Sequence, residues 1–467
     1  MAQFATPRLR FQFHRLQTQP PPQPDLGLEG VLPEATIKQV LREEGGTWKS
    51  IVYTPWVTFW AFFWQALSPD RSCRSALKRL SAWMGLRGQK LDDEDTSPYC
   101  KARARLPESA LQRLMRLVGL KSHQQAPQDW RWCSRRVKVV DGSTAIMADT
   151  VANQKAYPQI PSQKPGLGFP ILRFVVIFCL ATGSALEVAM GKYQGKQTGE
   201  NALFRSLWDD AFEPDDVVLG DRYYCSYFDI AMLKRRGVDS VFRLHQRRPC
   251  DFRRGRRLGK EDQIVEWLRP KRPDWMSEDI YNEIPETMEI RQVRIHVGKP
   301  GFRTRVLDLA TTLLDPELYT KSDLGLLFRQ RWHAELDLRS IKIVLGIDML
   351  RCKTPEMVRK EIWMTLLGYN VIRALMVEAS QEHGRDPRHV SFKGALQTLQ
   401  EFAVGLREGT PQQRRWLWTI LLSSIAEDAV GYRPDRVEPR ARKRRPKQYP
   451  LLTKPRRQAQ AAMRKAG

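Results

Sequence analysis

The sequence contains no CxxC pair. Its seven cysteines, at 73, 100, 133, 179, 225, 250 and 352, are scattered through 467 residues. An odd, unclustered set excludes a disulfide framework and a cysteine zinc site, and predicts reduced thiols in a cytoplasmic setting. Histidine is scarce as well: seven residues without HExxH or HxxxH spacing offer little to an imidazole metal centre. Negative charge is in deficit. Fifty-two Asp and Glu face 77 Lys and Arg, a formal net charge of +25. Such an excess calls for a polyanionic partner, and nucleic acid fits better than a merely basic or ribosome-associated protein. Long apolar runs are absent with one exception: Ser50 to Pro69 carries no charge. Polar Tyr53, Thr54, Thr58, Gln65 and Ser68 dilute it and Pro55 breaks its start, so a buried helix is expected there and not a membrane span. Residues 1–23 are polar and proline-rich, without the apolar segment of a secretion signal.

With 42% hydrophobic residues and 14 tryptophans there is ample material for a core, and the length suggests two to four units. Residues 1–30, with QPPPQP at 19–24, read as a flexible arm. Residues 31–130 read as helices from their three- and four-residue apolar steps, with the acidic run at 92–95 in a linker. From Arg135 the pattern turns β-branched: strands are predicted at 135–147, 171–181, 184–190, 217–221 and 238–244, with helices near 200–210 and 227–236. Strands that then alternate with helices predict a mixed α/β sheet. A basic segment, QRRPCDFRRGRRLGK, opens a β-rich insertion at 246–310. Helices are expected at 322–346, 355–380, 393–406 and 411–427. A basic tail, 431–467, carries RARKRRPK at 440–447 and is read as lying along nucleic acid.

Three carboxylates stand out. On the helix LLFRQRWHAELDLRSIKIVLG, a rotation of 100° per residue puts Phe328, Arg331, Glu335 and Lys342 within one 60° arc, roughly opposite Asp337. A carboxylate between two cations suits a place where phosphate meets a hard cation, although an ordinary ion-paired surface has the same pattern. Asp141 in VVDGS and Asp221 in VVLGD are read as strand-terminal, where carboxylates converge at a sheet edge; a turn-capping aspartate is the plainer alternative for each. Together the three supply the oxygens that two-metal phosphoryl transfer requires.

These residues carry a resemblance. FRQRWHAELDLRSIK resembles the YREK signature of the insertion-sequence transposases of the IS-four type, relatives of the Tn-five transposase. VVDGSTAIMADTVANQKAYPQ and VLGDRYYCSYFDIAMLKRRGVD resemble that family's two aspartate blocks, and SPYCKARARLPE its N-terminal region. The likeness runs through residues 30–430 in order. It implies a ribonuclease-H-like catalytic core at 131–245 and 311–380 interrupted by the insertion, a DNA-end-binding helical domain at 31–130, and a C-terminal helical region at 381–430. It further implies that Asp141, Asp221 and Glu335 form a DDE triad that holds two Mg²⁺, with Mn²⁺ able to substitute. Arg331 and Lys342 become contacts to double-stranded DNA at the transposon end. Phe328 stands where the family usually has Tyr, so a hydroxyl contact to phosphate is lost. A homodimer in a synaptic complex is implied, acting on transposon ends and target DNA in the cytoplasm at the nucleoid. Trp267 or Trp275 could hold a flipped base as in hairpin-forming relatives, with a core role the plainer expectation; Asp149 is expected to be structural. A domesticated DNA binder that has lost catalysis and a repair-type nuclease of the same fold are the competing readings.

Overall fold

The structure is a computed structural model that describes residues 28–466 apart from 29, 46–47, 49–51, 87, 92–94, 249, 298–305 and 431–449. Nearly all of the arm expected at 1–30, the acidic residues 92–94 and the RARKRRPK segment thus lie outside the described residues.

Helices α1 (Glu34–Glu43), α2 (Pro55–Leu67), α3 (Cys73–Gly85), α4 (Thr96–Arg105) and α5 (Glu108–Gln124) lead the chain. Strands and short helices follow: β1 (Val137–Met147), α6 (Val151–Ala156), β2 (Ile171–Cys179), β3 (Ala185–Lys192), α7 (Glu200–Arg205), α8 (Trp208–Ala211), β4 (Val217–Gly220), α9 (Tyr227–Arg235) and β5 (Asp239–Arg243). Next come β6 (Arg256–Gly259), β7 (Asp262–Leu268), α10 (Glu278–Glu283), β8 (Thr287–His296) and β9 (Val306–Thr311). Helices α11 (Lys321–Gln330) and α12 (Trp332–Arg339), a π-helical turn Ser340–Val344 and β10 (Met349–Leu350) precede four helices, α13 (Pro355–His383), α14 (Phe392–Glu408), α15 (Pro411–Glu427) and α16 (Arg456–Ala466).

The chain forms two units. One contains residues up to 118 with 359–383 and 391–428; the other contains 119–358, 384–390 and 429 onward. The first is helical. Its α2 is the uncharged run, opened by Thr54, whose hydroxyl accepts from Val57 N at 3.2 Å, with Pro55 at a position that needs no amide donor. Every residue from Trp56 to Leu67 is buried. No helix among the described residues is long and apolar enough to cross a membrane. Gln65 inside this core is fully used: its oxygen accepts from Tyr99 Oη at 2.7 Å and Arg103 at 3.0 Å, and its amide donates to Arg71 O. Burying a polar group is tolerated when it is bonded this way.

The second unit is built on a single mixed sheet of order β3-β2-β1-β4-β5-β9-β8-β7-β6, with β10 on β1. Strands β1, β2 and β3 are antiparallel neighbours, whereas β4 lies parallel to β1 and β5 parallel to β4. The strands of the insertion are not detached from this sheet: β9 pairs antiparallel with β5 and extends it. Helices α7, α8 and α9 cover one face, where Val140, Val175, Ile177 and Val218 pack with Phe204, Trp208, Tyr224 and Phe228. Deep in this unit Arg291 grips Asp262 with two hydrogen bonds of 2.8 and 2.6 Å, and its remaining donors meet Asp315 O and Tyr319 O.

One long helix was expected at 322–346, and the structure divides it. Thr320 and Asp323 form a reciprocal cap for α11, which gives way to α12 at Arg331, and the π turn follows. Ser340 Oγ donates back to Leu336 O at 3.0 Å, a bond that bends helices, and Leu345 N reaches Ser340 O in the i to i+5 pattern.

Candidate active site

Strand β1 owes its shape to what pairs with it. On one side its ladder with β2 is unbroken from Lys138 to Ile146. On the other, pairing with β4 runs from Val137↔Val217 to Val139↔Leu219, and pairing with β10 begins only at Ile146↔Met349. Between these lies a notch in the sheet, and residues 141–144 along it are half-buried while 137–140 are buried.

Asp141 lies within this notch. It was expected at a strand end before a turn, and this is corrected by the structure: β1 continues through Gly142 to Met147. The Asp-Gly pair is extended here because β2 pairs with both residues, at Val176 and Val175. Asp221 does follow directly on β4, and its Oδ1 accepts from Tyr223 N at 2.7 Å. Glu335 on α12 accepts from Arg331 at 2.5 Å. Lys342, in the π turn, donates to Ser143 Oγ at 3.0 Å. Ser143 and Asp141 are two residues apart on a strand and point to the same face, so α12 and its cations approach β1 on the face that bears Asp141.

The electrostatics agree with this placement. Burial pushes the Asp141 carboxyl up from its ordinary 3.8 to about 6; Arg331 and the Gly142 amide oppose the rise, and Asp221 and Glu335 add to it. Asp141 therefore sits within reach of the charges of both Asp221 and Glu335. Burial, Arg222 and Arg331 likewise pull the Arg243 guanidinium on β5 below its ordinary value. Asp337, on the opposite side of α12, is bonded to Arg388 at 2.7 Å and is nearly inaccessible.

The donor set fits a hard divalent cation: carboxylate oxygens only, with mutual repulsion that positive charge would relieve. Each carboxylate is turned to its own partner, Gly142 N for Asp141, Tyr223 N for Asp221 and Arg331 for Glu335. Among the described residues no three His, Cys, Asp or Glu stand as a ready ligand set.

Phe328 is 7% exposed, its ring 6.0 Å from the Arg331 guanidinium, so it packs beneath that cation. Trp267 is buried with Arg248 lying 3.9 Å over its ring, and Trp275 has Arg205 at 3.8 Å over its own. Each indole thus carries a guanidinium over one of its faces. Asp149 accepts from Gln154 at 2.9 Å. Sequence reasoning passed over Ser143, Arg243 and Glu200, because nothing in their local spacing marks them; strand pairing sets Arg243 beside β4, and the packing of α7 brings Glu200 against Gly142.

A sheet of order 3-2-1-4-5, with three antiparallel strands followed by two parallel ones, a carboxylate on its first strand and another directly after its fourth, defines a ribonuclease-H-like α/β core. The family model described as Transposase DDE domain matches residues 132–371, and the chain belongs to that family. Transposase InsG for insertion sequence element IS4 of Escherichia coli (strain K12) is 25% identical over 362 residues, covering 77% of this chain and 78% of that protein. The cryo-EM structure of a piggyBac transposase synaptic complex with hairpin DNA superposes with a TM-score of 0.44 at 12% identity, covering 90% of this chain and 88% of that one.

Proposed function

We propose that this transposase cuts DNA at the terminal inverted repeats of an insertion sequence and joins the freed ends to a target, with two copies of the chain holding two ends. The observation that carries the reading is the notch in the sheet, where the charges of Asp221 and Glu335 reach Asp141, Arg331 bonds Glu335 and Lys342 bonds Ser143. The three carboxylates would hold divalent cations, two Mg²⁺ with Mn²⁺ able to substitute. Bound there, such ions supply Lewis acidity to phosphoryl transfer. Arg331 and Lys342 hold the DNA backbone at the cleaved end, as charge-assisted donors do for phosphate. Phe328 supports Arg331 from below. Hydrogen bonds from Gly142 N and Tyr223 N keep the two aspartates oriented before DNA arrives.

Glu335→Ala tests this directly. With supercoiled DNA carrying both ends and Mg²⁺, the variant should produce no nicks or excised fragment while its gel-shift affinity for the ends stays close to that of the parent chain. Excision by Glu335→Ala would remove this residue from the site.

A further inference from the structure

Glu200 approaches the notch from the side opposite to Glu335. Gly142 faces α7 because it alternates with Asp141 along β1, and the absence of a side chain there lets Glu200 come up against the strand. A Cβ at Gly142 would stand 2.8 Å from Glu200 Cδ and 3.0 Å from its Oε2. The carboxylate is poorly matched by its surroundings. Its one cation, Arg173 on β2, lies 3.6 Å away, beyond hydrogen-bond reach, and Arg173 Nε has no acceptor among the described residues. Burial pushes the Glu200 carboxyl above its ordinary value; Arg173 opposes this and Asp221 adds to it.

A second feature lies on the same face of the sheet, where Tyr224 packs with Val140 and Phe204. Tyr224 is 1% exposed, and its hydroxyl has no hydrogen-bond partner among the described residues. Its ring is held edge-on to Phe204 at 5.2 Å. Burial raises its hydroxyl well above 10, helped by the charges of Glu200, Asp141 and Asp221, so it keeps its proton and remains a donor. A buried donor left without an acceptor is costly unless something outside the chain receives it. A hydroxyl donor beside carboxylates suits a hydrated divalent cation, whose charge the carboxylates balance and whose water oxygens accept the hydrogen bond.

We propose that Glu200 is a fourth carboxylate of the cation site, and that the Tyr224 hydroxyl is a positioning donor to the water shell of the ion it holds. This rests on the reading of Asp141, Asp221 and Glu335 given above. Gly142 is the structural condition for it, since any side chain there would fill the space the Glu200 carboxyl occupies.

The test is Mn²⁺ binding by the full-length chain without DNA, read from the loss of the free-ion EPR signal, with thermal melting of the metal-free protein as the control for folding. Glu200→Gln should weaken binding about tenfold or more, the scale on which groups around a metal act. Tyr224→Phe keeps the ring packing, and should weaken binding severalfold while leaving metal-free melting unchanged or higher. Wild-type Mn²⁺ affinity in both variants would overturn the proposal. So would a Tyr224→Phe chain that melts lower and binds normally, because the hydroxyl would then be a structural donor. Asp141→Asn separates the two readings: if it loses Mn²⁺ and Glu200→Gln does not, only the fourth carboxylate fails. If Asp141→Asn binds as the parent does, the three-carboxylate site itself fails.

Discussion

Arg388 donates to Asp337 in a pair almost wholly removed from solvent, whereas Glu335, two residues earlier on α12, keeps over a third of its side chain exposed beside Arg331. The same chemical group thus has two different tasks. Removing one partner of a buried pair strands the other, so Asp337→Asn should cost roughly 3–5 kcal/mol of stability. Glu335→Gln should cost under about 1 kcal/mol, as for an exposed pair. Urea unfolding midpoints measure both, and equal losses would contradict this division. Asp141 adds a pH dependence. A carboxyl held at about 6 binds its proton more tightly in the folded chain than in the unfolded one. Its contribution of about 3 kcal/mol is complete below pH 4 and disappears as pH rises through 6. Metal-free Asp141→Asn should therefore melt above the parent chain at pH 8, and the advantage should vanish near pH 4. A parent chain that melts higher at pH 8 would show that the fold does not disfavour the ionised Asp141 carboxylate.

At the scale of elements, β1 does most to organise the site. Its β-branched residues place it inside the sheet, and the short β4 and two-residue β10 leave it without a partner on one side from 140 to 145. Gly142 opens the far face of that stretch to α7. Gly142→Ala should slow cleavage roughly tenfold by displacing Glu200, a loss of the size seen around metal sites. Combined with Glu200→Gln it should add little more, because both changes remove the same carboxylate from the same place. Single-turnover cleavage rates for the four chains decide this, and independent multiplying effects would mean that the alanine methyl acts elsewhere. The break at Arg331 and the π turn are element-scale features too. They alter the rotation between Glu335 and Lys342, yet Lys342 still reaches β1 through Ser143.

For the molecule as a whole, a net charge of +25 sets the terms of DNA binding. If the chain meets six to ten phosphates, its affinity should fall roughly 10³- to 10⁵-fold between 50 and 200 mM salt. Fluorescence anisotropy with a labelled transposon end measures this, and an affinity indifferent to salt would mean that the basic excess serves something other than DNA. Truncation after residue 430 removes thirteen Lys and Arg and should flatten the salt dependence.

Much of this was legible in the residues themselves. Periodicity marked the strands and most helices, because side-chain patterning has period 2 or 3.6 wherever one face is buried. Helical geometry separated Glu335 from Asp337, and the buried Asp337–Arg388 pair shows the physical difference between those two sides. Pairing decided the rest. That β1 pairs unbroken with β2 through Asp141 and Gly142, that the insertion extends the main sheet, and that Glu200 packs against Gly142 all depend on contacts between segments tens of residues apart. Local pattern records which face of an element is buried; it carries no record of what that face meets. The candidate carboxylates of this transposase were visible in its sequence, but the notch beside Asp141 exists only because β4 and β10 stop short of each other along β1.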